Sequence, residues 1–286
     1  KMTIMTTTFI PCGAKLPIIA MIAHALFGGA KWVAPSAYFL GMAAIIISGI
    51  MLKKTKTFSG DPAPFVMELP AYHWPTVGNV LRSMWERGSS FIKKAGTIIL
   101  VSSVFIWAAS VLGVVDGSFT FNPDMELESS ILGMIGSAVC WIFKPIGFGT
   151  IKATVATVMG LVAKEEVVGV FGVLDFESMT QLAGYSFLIF NLLCAPCFAA
   201  IGAIKREMNS AKWTLFAVGY QCLFAYAISL IVYQFGMLFT GNANIIGVIC
   251  AAVILALIIY MLVKPYKESN SLKVNVKTSK KELIKK

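Results

Sequence analysis

Two adjacent carboxylates, Glu165 and Glu166, stand inside an apolar stretch that runs from residue 150 to 174, whereas the other acidic side chains lie between apolar segments. A carboxylate in the hydrocarbon layer costs roughly 2.5–3.5 kcal/mol on insertion scales, so such a group faces an enclosed cavity and handles an ion or a proton. Lys164 precedes the pair. Three consecutive polar positions sweep about 200° around a helix, so this one is wrapped in protein or broken nearby, with Gly160 and Gly169 as candidate break points. The plainer reading is a buried ion pair that fixes helix orientation. A second constellation is Pro11-Cys12-Gly13-Ala14-Lys15-Leu16-Pro17. Two prolines and a glycine in seven residues interrupt a helix and leave carbonyls free, which is tolerated at membrane depth only inside protein or beside water. A third, Cys194-Ala195-Pro196-Cys197-Phe198-Ala199, repeats the order Pro-Cys-x-Ala, with Asn191 able to share the face of Cys194. Thiolate, carboxylate and amide oxygen together suit a borderline divalent metal such as Fe²⁺, Zn²⁺ or Mn²⁺. The candidate metal-handling residues are Cys12, Cys197, Cys194, Glu165, Glu166 and Asn191.

The remaining cysteines, Cys140, Cys222 and Cys250, read as small hydrophobes. His24 and His73 stand away from these motifs, and burial in a span argues against a redox reading of the Cys194/Cys197 spacing. No catalytic residues are expected; the chain reads as a transporter, not an enzyme.

The elements that must position these residues are membrane helices. Hydrophobic residues make up 57% of the 286 and charged residues 13%, against about 25% charged in soluble domains, and mean hydropathy is +0.79. A crossing needs about 20 apolar residues, and candidates are residues 10–30, 33–52, 95–114, 130–146, 150–174, 184–204, 211–236 and 244–263. The fold class is therefore all-α, a polytopic helical membrane protein of about eight spans. The formal charge of +10 belongs to loops and a tail of the inner side rather than to a nucleic-acid site. With the 53–94 loop placed inside, alternation puts Lys205, Arg206, Lys212 and the tail inside, and Asp116, Asp124, Glu126, Glu128, Asp175 and Glu177 outside. The spans holding Cys12 and Cys197 then run in opposite directions, as inverted repeats with broken helices do. Residues 76–94 mix Leu81, Met84, Trp85 and Phe91 with Arg82, Arg87, Lys93 and Lys94, which predicts an amphipathic helix on the inner leaflet leading into the next span. The tail after residue 266 is polar and lysine-rich, suited to anionic lipid.

These motifs resemble the membrane region of FeoB, the ferrous iron transporter. The resemblance rests on Pro11 to Pro17, Met67-Glu68-Leu69-Pro70-Ala71-Tyr72, Trp85-Glu86-Arg87, Lys93 to Ile98, Ala163-Lys164-Glu165-Glu166-Val167-Val168, Ala195-Pro196-Cys197 and Ile204-Lys205-Arg206-Glu207. It implies Fe²⁺ as substrate, import across a bacterial cytoplasmic membrane, and no tightly bound cofactor. It implies gate cysteines at Cys12 and Cys197 and a core carboxylate at Glu165. The expected organisation is a first Gate element at 1–52, a connector with the interfacial helix at 53–94, a FeoB core at 95–183, a second Gate element at 184–236, a last span at 237–263 and a basic cytoplasmic tail at 264–286. The family also carries a GTP-binding domain. This chain shows no Gly-x-x-x-x-Gly-Lys-Ser/Thr loop, so GTP and Mg²⁺ are expected only through a domain outside it, and the chain is expected to be part of a longer polypeptide. Lipid, that domain, a small FeoA-like protein and further copies of the chain are the expected partners, and nucleic acid is not. The alternatives are a nucleoside or other organic-solute carrier, with Asn191, Gln221 and Tyr226 as its polar groups, and a non-transporting Gate scaffold.

Overall fold

A computed structural model describes residues 2–55, 74–115, 118–121, 129–164, 167–169, 179–241 and 244–265. Glu165 and Glu166, the Pro-rich connector with His73, and the lysine-rich tail lie outside the described residues. The helices are α1 (Met2–Thr7), α2 (Leu16–Ala25), α3 (Val33–Lys53), α4 (Val77–Val111), α5 (Ile131–Phe143), α6 (Ile151–Val162), α7 (Gln181–Leu193), α8 (Phe198–Met208), α9 (Ala211–Phe239) and α10 (Ile245–Val263). Four of these starts carry a side-chain cap. The hydroxyls of Ser130, Thr150 and Thr180 accept from the amides of Gly133, Ala153 and Ala183, and the Asn244 side chain accepts from Ile246.

The chain is a helical membrane protein. Four described segments are long and apolar enough to cross: α3, the 28 residues Gln181–Met208 that α7 and α8 share, α9 and α10. The expected count of eight is not established by these elements. Within the stretches 130–146 and 150–174, expected as two crossings, the described helices Ile131–Ile146 and Ile151–Val162 meet at a 99° bend. At about 1.5 Å per residue neither arm reaches the roughly 30 Å of hydrocarbon alone. The bend follows from Pro145 inside a 3-10 turn and from Gly147 at φ 95°, a conformation that favours glycine. Residues 10–30 form an interrupted segment with a 10-residue helix rather than one uninterrupted crossing.

α4 is one helix of 35 residues, joining the expected amphipathic piece to the expected span without a break. It ends at Val111, three residues before the expected limit, because Leu112–Val115 turns into a strand paired with Ser118–Phe121. The register sets Val115 opposite Ser118, and the two intervening residues are Asp and Gly, the dipeptide that two-residue hairpins favour. This hairpin is the sole sheet among the described residues.

The core lies where α2, α3, α7 and α9 meet, around Phe9, Ile22, Val33, Phe187, Leu193 and Phe224. α9 packs along α7 and α10. With apolar lipid outside, hydrophobicity alone does not hold these helices together; close packing and interhelical hydrogen bonds do. Ser229 Oγ donates to Ser186 O (3.1 Å), Ser186 Oγ to Ile146 O (2.7 Å), and Ser48 and Tyr220 share a 2.7 Å hydrogen bond. Gly41 lets the chain at Phe9 pass close to α3, since a Cβ there would stand 2.9 Å from Phe9 O. α10 keeps Ala251 and Ile258 inward and presents Ile246, Ile249, Val253 and Leu257 outward, as a lipid-facing helix does.

Candidate functional site

Three chain breaks converge on one region. The first separates α1 from α2 and holds Cys12 in extended backbone directly before a 3-10 turn, Gly13–Lys15. The second separates α7 from α8. Cys194 closes α7, and Cys197, at φ −61° and ψ 162°, precedes α8. Cys12 and Cys197 thus hold the same backbone position at the start of the helical turn after each break. The third is the end of α6, where Ala163 leaves the helix at φ −143° and ψ 130° and Lys164 follows.

The second break has a direct covalent cause. In an unbroken helix Leu192 O would accept from the amide four residues on, and that residue is Pro196, which has no N–H. The orphaned carbonyl is met from the first break. Lys15 Nζ donates to Leu192 O at 2.6 Å and to Thr8 O at 3.1 Å. Thr8 is held in turn from α9, since Gln221 Nε2 donates to Thr8 Oγ1 (2.7 Å) and to Met5 O (3.0 Å). From the third break, Lys164 Nζ donates to Cys194 Sγ at 3.0 Å. Lys15 is 3% exposed, Lys164 1% and Cys194 2%, so two ammonium groups are enclosed with a thiol between helices. Lys15 lies within electrostatic reach of Lys164, Cys194, Cys12 and Cys197, which places the cysteines of both breaks in one neighbourhood. Cys12 is exposed and Cys197 partly exposed.

Asn191 stands one turn before Cys194. Its Nδ2 donates to Phe187 O at 3.1 Å, while Oδ1 is buried and has no partner among the described residues. The Oδ1 atom faces Gly160, whose missing side chain leaves room for it and for Val167. Gln221 likewise keeps a buried Oε1 without a partner. A crevice lined by Lys15, Ile18, Ile19, Leu188, Asn191 and Leu192 runs beside the lysine. Among the described residues no three His, Cys, Asp or Glu side chains are grouped as a metal cage, and neither buried lysine forms an ion pair.

Sequence reasoning brought Cys12, Cys194, Cys197 and Asn191 to this place and missed three neighbours. Lys15 was read as part of a helix-breaking motif and not as the bridge between motifs. Gln221 was set aside for an organic solute. Cys222 reads as a small hydrophobe, yet it follows Gln221 on α9 and lies within electrostatic reach of Cys194 and Lys164. One signal was available: Gln221 and Cys222 are consecutive polar positions in an otherwise apolar stretch of α9.

Comparison with known proteins shows what such an arrangement belongs to. Residues 34–87 match the family described as "Ferrous iron transport protein B C terminus", and residues 92–211 match the Gate family, described as "Nucleoside recognition". The chain is 35% identical over 250 residues to the Fe(2+) transporter FeoB of Staphylococcus aureus (strain COL), covering 83% of this chain. The chain belongs to the FeoB family, as a C-terminal membrane region. The FeoB of Methanocaldococcus jannaschii is 34% identical over 251 residues, again 83% of this chain. A fusion of Fe(2+) transport protein A and Fe(2+) transporter FeoB from Porphyromonas gingivalis is 30% identical over 292 residues. The chain spans about a third of the length of these relatives, 36%, 37% and 34% respectively. No solved structure matches it. The matched ranges divide this FeoB-family chain differently from the boundaries expected from its sequence, which stay a proposal.

Proposed function

We propose that this region is the permease core of a ferrous iron importer in a cytoplasmic membrane, with Fe²⁺ as cargo and no resident cofactor. One observation carries the reading: a carbonyl from each of two interrupted helices meets at the buried Lys15 ammonium, with the buried thiol of Cys194 at the second break. Broken helices that meet inside a bundle are how carriers coordinate ions. Thiols and amide oxygens add a preference for a borderline metal. Cys12 and Cys197 act as gate ligands, with Cys194 and Asn191 Oδ1 beside them. Glu165 and Glu166 follow Lys164 in sequence and supply the negative charge that neutralises the dication. The cargo loses water stepwise, and binding at a thiol releases that thiol's proton.

GTP and Mg²⁺ enter only through a GTP-binding domain elsewhere in the full-length protein or on a separate polypeptide. A FeoA-like accessory protein fits the fusion seen in the Porphyromonas relative. The Gate description favours a second reading, a nucleoside or other organic-solute carrier. Against it, the donors such a solute needs are already engaged: Gln221 Nε2 on the first break and Tyr226 Oη on Ile142 O at 2.9 Å.

The deciding assay is uptake by the full-length protein in proteoliposomes, with a panel of divalent metals and nucleosides. Fe²⁺ flux that falls in Cys12→Ala, Cys197→Ala and Glu165→Gln, with protein still in the membrane, supports the reading. Wild-type flux in both cysteine variants removes the thiols from the mechanism, and nucleoside flux without metal flux replaces it with the second reading.

A further inference from the structure

Lys15 is difficult to place in a cation pathway. A dication 4 Å from an ammonium is repelled by roughly twice the unit-charge energy at any given effective dielectric, so cargo and Lys15 cannot share the site. Yet the ammonium sits on the kind of oxygen a dehydrated cation seeks. Its two acceptors are main-chain carbonyls, one from each interrupted helix, at 3.1 and 2.6 Å. Leu192 O is free to accept because Pro196 cannot donate. Lys164 repeats the arrangement on the sulfur ligand, donating to Cys194 Sγ. One carbonyl of each break and the Cys194 sulfur are thus covered by tethered cations.

We propose that Thr8 O and Leu192 O form a carbonyl site for a dehydrated divalent cation, and that the Lys15 ammonium holds that site closed as a built-in substitute for the cargo. The proposal rests on the iron-transport reading and adds a site and a gating residue to it. Because the ammonium is anchored to the chain three residues after Cys12, cargo arriving at Cys12 displaces it from the carbonyls. The displaced lysine no longer ties the first break to the second. Site occupancy and separation of the two breaks are then one event, which is what alternating access requires. Lys15 is a positioning residue in this scheme and touches no cargo.

The test uses the full-length protein in liposomes carrying an Fe²⁺-quenched dye, without nucleotide. Wild type is tight. Lys15→Met keeps the apolar stem and removes the plug, and is expected to raise nucleotide-independent Fe²⁺ entry roughly tenfold, the effect of a modestly lowered barrier. Lys15→Arg keeps a cation on a side chain of similar reach and is expected to restore the tight state. A Lys15→Met protein as tight as wild type overturns the proposal, as does a Lys15→Arg protein that leaks equally. Recovery of folded Lys15→Arg but not of Lys15→Met also overturns it, because the ammonium is then a clamp of the fold. A wild-type protein that moves no Fe²⁺ under any nucleotide condition sinks the transport reading and this inference together, whereas a working wild type with a tight Lys15→Met sinks the inference alone.

Discussion

Lys164 Nζ stands 3.0 Å from Cys194 Sγ, joining the end of α6 to the break between α7 and α8. Both residues are buried; the thiol also reaches Asn191 O and Ala195 O, whereas Cys194 Sγ is the hydrogen-bond partner of Lys164 among the described residues. Removing the sulfur leaves an enclosed ammonium short of a partner, and hydrogen bonds to charged groups are worth about 1.5–3 kcal/mol. Cys194→Ala should therefore destabilise the protein by roughly that amount, while Cys194→Ser, which keeps an acceptor, should recover most of it. Thermal unfolding of both variants in detergent measures the difference. Equal stability of the two would mean that the lysine is satisfied elsewhere.

The thiols differ in exposure, and their chemistry should follow. Cys12 is exposed and Cys194 is buried. A water-soluble maleimide should modify Cys12 first, with Cys194 slower by roughly a hundredfold because it reacts only through local opening. Mass spectrometry of timed samples gives both rates. Fe²⁺ should protect Cys12 and Cys197 together if both are gate ligands. Protection of neither would detach the metal from the breaks.

The sequence makes legible whatever local chemistry dictates. Spans 33–52, 211–236 and 244–263 fall within three residues of α3, α9 and α10 at each end, since apolar length decides them, with a capping side chain at Asn244 for the last. The break at Pro196 is equally legible, because a missing N–H acts on its own helix. The 99° bend at Gly147 is legible only in part: Pro145 and Gly147 permit a turn, but its docking onto α9 and α7 involves contacts far along the chain. The same holds at the site. Cys12 and Cys197 announce themselves by motif, but Lys15 acquires its partner 177 residues away, and nothing in the spacing of the first motif names Leu192 as that partner.

The bend itself offers a stability test. Gly147 has φ 95°, and a Cβ there would run into the Tyr233 ring. Left-handed backbone costs a non-glycine residue about 1–2 kcal/mol, and overpacking adds about 1–3 kcal/mol. Gly147→Ala should therefore lower stability by roughly 2–5 kcal/mol, read as a lowered detergent melting temperature. The neighbouring bonds from Gln234 Nε2 to Pro145 O and from Ser186 Oγ to Ile146 O hold the turn against α9 and α7, so Gln234→Leu should soften the same region to a smaller degree. A Gly147→Ala protein as stable as wild type would show that the turn relaxes without cost.

Pro196 separates the two roles of the second break. An alanine there restores an N–H four residues after Leu192, so the helix can supply the donor that Lys15 now supplies. Pro196 lies in the break rather than inside a helix, and a new helical bond there offsets the acceptor that Lys15 loses, so Pro196→Ala should leave the protein about as stable as wild type. Transport should fall: with Leu192 O taken by its own helix, the carbonyl is lost to both the lysine and the cargo, and Fe²⁺ uptake should drop roughly tenfold or more. The informative readout is the pair of measurements. Retained stability with lost uptake assigns the break to function, whereas unchanged uptake would mean that the Leu192 carbonyl is not on the ion's path. Lost stability with lost uptake would mean that the proline shapes the packing of Cys194 and Cys197 rather than freeing a ligand.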